Sequence, residues 1–135
     1  MVSMRDVEKV ALSMPEATKE LRDDDRPAFV VGGKLFCFHR TPRKDAVDAT
    51  TGERLDDVVA FRVADEEMKA MWLAERPTVF FTTDHFNGYP WILVRIGSLA
   101  EVEASELSEL IADAWLAQAP KRLTKQWLED QGLDE

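Results

Sequence analysis

The chain has 135 residues, a formal net charge of −9, 45% hydrophobic and 32% charged residues, the make-up of one ordinary globular domain over 1–135. That length buries roughly two thirds of the unfolded surface, so no disulfide or metal is needed to hold the fold. Cys37 is the only cysteine, which excludes an internal disulfide and a four-thiolate metal site, and the acidic balance argues against strong non-specific attraction to nucleic acid.

The N-terminal MVSMRDVEKV has no apolar signal-peptide core, and no run approaches the roughly 18 apolar residues of a membrane span. The expectation is a cytoplasmic protein with no membrane partner.

A first helix is expected from Arg5 to Ser13, with Ser3 and Asp6 in capping-box spacing and Val7, Val10, Ala11 and Met14 on one stripe. Pro15 ends it. Residues 17–21 predict a short strand, and Asp23, Asp24 and Asp25 a solvated turn without the spacing of a calcium loop. Pro27 to Phe38 reads as a hairpin about Gly32-Gly33. That register sets Val31 against Lys34, Val30 against Leu35, Phe29 against Phe36 and Ala28 against Cys37, which makes Cys37 a buried structural thiol.

His39 to Asp57 is a long irregular stretch. Lys34 to Lys44 holds Lys34, Arg40, Arg43 and Lys44 and no acid, the most basic local segment in an acidic chain. It reads either as a solvated loop or as an anion-contacting wing, the first being the commoner use of a charge run. A strand follows over 58–63, then a helix over 66–75 capped by Asp65, with Met68, Met71 and Trp72 on the buried stripe. Thr78 to Phe81 predicts a strand, 82–90 a polar turn with Asp84 and His85, and Trp91 to Ile96 a strand. In that last strand Ile92, Val94 and Ile96 face the core, and Trp91, Leu93 and Arg95 face away. Two helices complete the chain, from about 103–105 to Gln118 and from Lys121 to Gln131, separated by Pro120.

No catalytic constellation is visible. His39 and His85 are the only histidines and have no metal-ligand spacing, and no phosphate-loop or nucleophile-elbow motif occurs. No metal ligand set, cofactor or catalytic residue is assigned. If one sheet face takes the helices, Arg62, Trp91 and Arg95 project from the other, where aromatic and arginine side chains can stack on bases and contact phosphate. The bland use of such a face is burial under another segment or a partner chain.

The order of several segments resembles the MmcQ/YjbR family of small bacterial proteins. These are the Met-Pro-Glu-Ala step after the first helix, AFVVGGKLFCF, VVAFRVADEEMKAMW, GYPWILVRI and the late APKRL. The resemblance spans about Met4 to Trp127. It implies a CyaY-like α+β fold, with one antiparallel sheet of about five strands and helices mainly on one face. It also implies a non-enzymatic protein that binds double-stranded DNA through two hairpin wings. Carried onto this chain, the wings are the Gly32-Gly33-Lys34 hairpin with its basic extension and the turn from His85 to Tyr89, and the family's Pro-Lys-Arg step is Pro120-Lys121-Arg122. The expected phosphate contacts are Lys34, Arg40, Arg43, Lys44, Lys121, Arg122 and Lys125, with Arg62, Trp91 and Arg95 on the open face. Two rival readings stand beside this: a protein- or small-ligand-interaction module, or a self-associating one, built on the Trp91 face, and a metal-responsive protein of the frataxin type.

Overall fold

A computed structural model of the chain describes residues 2–22, 24–40, 51–52, 55–83, 86 and 88–132. The first helix, α1 (Met4–Ser13), begins where the capping box places it. The Asp6 carboxylate accepts from the Ser3 backbone N–H at 2.8 Å and from its hydroxyl at 3.1 Å. That satisfies one of the donors that every helix start leaves orphaned. Val7 and Ala11 are buried on its inner stripe.

Six strands follow in one antiparallel sheet. They are β1 (Thr18–Leu21), β2 (Pro27–Val31), β3 (Lys34–His39), β4 (Val58–Arg62), β5 (Phe80–Phe81) and β6 (Trp91–Arg95), ordered β1-β2-β3-β4-β6-β5. The sheet has six strands where about five were expected, and the strand expected over Thr78 to Phe81 is reduced to the two-residue edge strand β5. The helices are α2 (Glu66–Glu75), α3 (Ala104–Gln118) and α4 (Lys121–Asp130), and a 3-10 turn over Ile96–Glu101 links β6 to α3. The sequence gives no sign of that turn. Asp65 caps α2 as expected, accepting from the Met68 amide at 2.9 Å.

The β2–β3 turn has both glycines at positive φ, +57° for Gly32 and +80° for Gly33, which matches the twist of a two-residue hairpin. Val31 pairs with Lys34 and Val30 with Leu35, as the sequence predicts. The expected register then fails. A bulge intervenes, so Phe29 pairs with Cys37 and Ala28 with Phe38. The extra residue lets Phe36 and Cys37 both enter the main core instead of alternating across the sheet. Cys37 is fully buried, and burial pushes its thiol far up from the ordinary range.

The main core lies between one sheet face and the helices, with Phe29, Val31, Phe61, Ile92 and Val94 against Trp72, Leu107, Ile111 and Trp115. The opposite face is not open. Val58, Ala60 and Leu93 form a second cluster with Leu55 and Phe86, two residues from outside the strands that cover it. Phe38, Phe81 and Trp91 pack at its margin. Helix α2 is also turned from its expected orientation: Met71 is 42% exposed, whereas Lys69 is only 4% exposed. The burial face centres on Trp72 and swings towards Lys69 because that ammonium finds backbone acceptors in the interior. Among the described residues no helix is long and apolar enough to cross a membrane.

Candidate functional site

The register places the starts of β2 and β4 and the ends of β3 and β6 together at one end of the sheet. The β2–β3 turn lies at the other. The expected site residues divide between these two ends.

At the turn end, a Cβ placed on Gly32 would lie 2.9 Å from Pro120 Cδ. The hairpin turn therefore sits directly on the start of α4, so the contact joins the segment that carries Lys34 to the one that carries Lys121 and Arg122. Leu123 is buried and Trp127 packs on Trp115 with ring centroids 5.9 Å apart, which fixes the inner side of α4. Gln118 Nε2 donates to the Leu35 carbonyl at 2.8 Å and ties the end of α3 to the same hairpin. Lys34, Lys121, Arg122 and Lys125 are all exposed. Arg122 forms a two-pronged pair with Glu16, at 3.1 and 3.2 Å. The bond to Arg122 holds the Glu16 carboxyl below its usual range. No ion pair joins Lys34, Lys121 or Lys125 to an acid among the described residues.

Helix α4 carries its charges against its own dipole. Its first turn holds Lys121 and Arg122 and no acid, and its last turn ends in Glu129 and Asp130 with no base. The macrodipole favours the reverse order by about 0.3–1 kcal/mol per charge. The amide end of α4 and its two first-turn cations thus carry the same sign of charge.

At the opposite end the cations are drawn inward. Arg40 is only 3% exposed, and its guanidinium lies over the Phe86 ring, 5.0 Å from the centroid. It packs the second cluster and has almost no surface left to offer a phosphate. Arg95 Nε pairs with Asp57 Oδ1 at 2.6 Å. Arg26, which the sequence did not single out, shares the two N–H bonds of Nη1 among His39 Nε2 at 2.9 Å, the Arg40 carbonyl at 3.2 Å and the Asp56 carbonyl at 2.5 Å. Burial and then the Arg26 charge hold His39 below its ordinary pKa of 6.5.

The remaining candidates are part of the sheet's packing. Arg62 Nε donates to the Val63 carbonyl at 3.0 Å, and Trp91, its cross-strand partner, meets Phe38 edge to face at 5.2 Å between centroids. Both are half-buried. The open-face arrangement expected for Arg62, Trp91 and Arg95 is thus replaced by a covered face, because Phe86 and Leu55 fold over Leu93. Arg43, Lys44, His85 and Asp23 lie outside the described residues. Among the described residues no group of three His, Cys, Asp or Glu side chains is placed to hold a metal ion.

The turn expected to be the second wing is tied down where it is described. Lys69 Nζ donates to the Phe86 and Tyr89 carbonyls, each at 2.7 Å, and burial lowers the pKa of that ammonium. Tyr89 remains 60% exposed. Nothing in the sequence singled out Lys69, whose partners are carbonyls that no residue type marks.

The YjbR family model matches residues 12–117. The chain belongs to the YjbR family. This YjbR domain is 40% identical over 136 residues to uncharacterized proteins of Mycobacterium tuberculosis and Mycobacterium bovis, covering 98% of this chain and all of theirs. It is also similar to the crystal structure of the Deinococcus radiodurans protein DR2400, which carries the domain DUF419. That match has a TM-score of 0.62 at 21% identity and covers 98% of this chain and 90% of the other, so it speaks to the fold alone.

Proposed function

We propose that this YjbR protein is a non-enzymatic binding protein that contacts the phosphates of double-stranded DNA. The contact is the corner where the β2–β3 turn meets the start of α4. The observation that carries the reading is the contact of the β2–β3 turn with Pro120, whose Cδ lies 2.9 Å from a Cβ placed on Gly32, because it joins the segment that carries Lys34 to the one that carries Lys121 and Arg122. The reversed charge order of α4 supports it, since first-turn lysine and arginine weaken the helix yet prepare its exposed amide end for an anion. The hairpin acts as one wing and α4 replaces the second, because Phe86 and Lys69 hold the other turn against the sheet.

The test is fluorescence anisotropy with a labelled duplex across a salt series. Four phosphate contacts, through Lys34, Lys121, Arg122 and Lys125, give a slope of log K against log salt of about −3.6, at roughly −0.9 per contact. Lys34→Glu and Lys121→Glu each weaken binding and flatten that slope by about one. Absence of binding at about 50 mM salt, where phosphate attraction is strongest in that range, refutes the proposal.

A further inference from the structure

The Arg26 guanidinium joins three segments at the lower end of the sheet. It stands at the entry to β2, bonds the imidazole and the carbonyl at the end of β3, and bonds the Asp56 carbonyl at the entry to β4. A guanidinium only donates, so His39 Nε2 must accept, which fixes a neutral ring with its proton on Nδ1. A protonated ring has no lone pair there and turns an N–H and a positive charge towards Arg26.

We propose that Arg26 and His39 form a proton-operated staple: protonation of the imidazole expels the guanidinium and loosens the junction of β2, β3 and β4.

The surrounding charges are opposed in sign. Asp24, which pairs with Arg26 Nε at 2.9 Å, and Asp57, which pairs with Arg95, both favour a charged imidazole. The Asp56 carbonyl also favours it. Burial and the Arg26 charge outweigh them. Arg40, the next residue along, turns its guanidinium to Phe86. The closed junction therefore takes its proton below 6.5. Above that value the ring is neutral whether the junction is closed or open. As the pH falls below it, the open form takes the proton first, so opening becomes easier.

Two amides report on the junction: Arg40 N–H bonds the Val58 carbonyl and Ile96 N–H bonds the Asp57 carbonyl, each at 2.8 Å. Hydrogen exchange at these amides, corrected for intrinsic rates and compared between about pH 7.5 and 5.5, tests the staple across the histidine range. Protection is expected to fall by up to about tenfold for each pH unit separating the closed from the open pKa. His85→Gln keeps that dependence and His39→Gln, which retains an acceptor, abolishes it. A flat profile in the wild type, or an unchanged one in His39→Gln, overturns the proposal. Should His39→Gln not fold, the imidazole titration of the wild type and of Arg26→Met decides by NMR. A wild-type midpoint at or above 6.5, or one that Arg26→Met does not raise, overturns it equally.

Discussion

Lys69→Met removes one ammonium and keeps most of the side-chain volume, so it isolates what the two carbonyl bonds contribute. The Phe86 bond is buried and the Tyr89 bond partly so, both at 2.7 Å. Hydrogen bonds to a charged group contribute about 1.5–3 kcal/mol each, and a buried carbonyl left without a donor costs about 1–3 kcal/mol. Against this stands the desolvation of the ammonium, which lowers its pKa and is relieved by methionine. The bonds number two and the opposing cost is the burial of one ammonium, so the net loss is expected at about 2–4 kcal/mol. Urea unfolding with an unchanged m-value measures it. Local exchange at Trp91 and Val63, whose amides bond the Tyr89 and Pro90 carbonyls at 2.8 and 2.9 Å, should rise with it. A change under about 0.5 kcal/mol, the size of an ordinary surface substitution, would refute the reasoning. It would mean that Phe86 alone holds the turn on the sheet.

Two further outcomes follow from local geometry. Gly32→Ala meets Pro120 Cδ at 2.9 Å and Cγ at 3.0 Å at a φ of +57°, whereas Gly33→Ala meets nothing at +80°. Left-handed strain alone costs about 1–2 kcal/mol, so thermal melts should show Gly32→Ala losing more than Gly33→Ala, and equal shifts would mean that the start of α4 yields freely. For Glu106, burial pushes the carboxyl up, but the Glu103 amide and the Arg76 guanidinium, 2.7–2.8 Å away, hold it below 4.5. Its folded pKa is the lower one, so its stabilisation is complete above 4.5 and is lost as the pH falls through the folded value. Urea midpoints in that acid range should fall more steeply for the wild type than for Arg76→Met, and parallel curves would show that the ion pair carries no net energy.

The elements were legible where residues carry local instructions. Asp65 with its apolar stripe marks α2 to within its ends, and Gly32-Gly33 sets the first two pairs of the hairpin. The bulge was not legible, because Leu35-Phe36-Cys37-Phe38 offers an apolar side chain at every position and period two cannot reveal an extra residue. The covered second face was hidden for a different reason. Alternation says that Trp91, Leu93 and Arg95 share a side, but the cover comes from Leu55 and Phe86, which lie outside any strand and so outside that alternation. Lys69 reads as a solvated lysine until its two carbonyls are seen. Of the candidate site, the sequence supplied each cation at the turn end, and only the tertiary contact between Gly32 and Pro120 joins the hairpin to the start of α4.

The division of cations between the two ends bears on where a function can lie. Arg26, Arg40 and Arg95 are held by short contacts within the fold, and each has a structural reason to be cationic: it bridges carbonyls, covers an aromatic ring or neutralises a carboxylate. Among the described residues Lys34, Lys121 and Lys125 show no such reason, and Lys121 stands in the first turn of a helix whose dipole it opposes. A charge that adds nothing to the fold is better explained by something outside it. The net charge of −9 sharpens this argument. A net acidic protein repels a duplex over distances of about 8–10 Å at moderate salt, so the proposed binding is expected to depend on approach to the turn end. On the proposed function, binding to DNA is expected to be weak and in one orientation, with an affinity that rises steeply as salt is withdrawn.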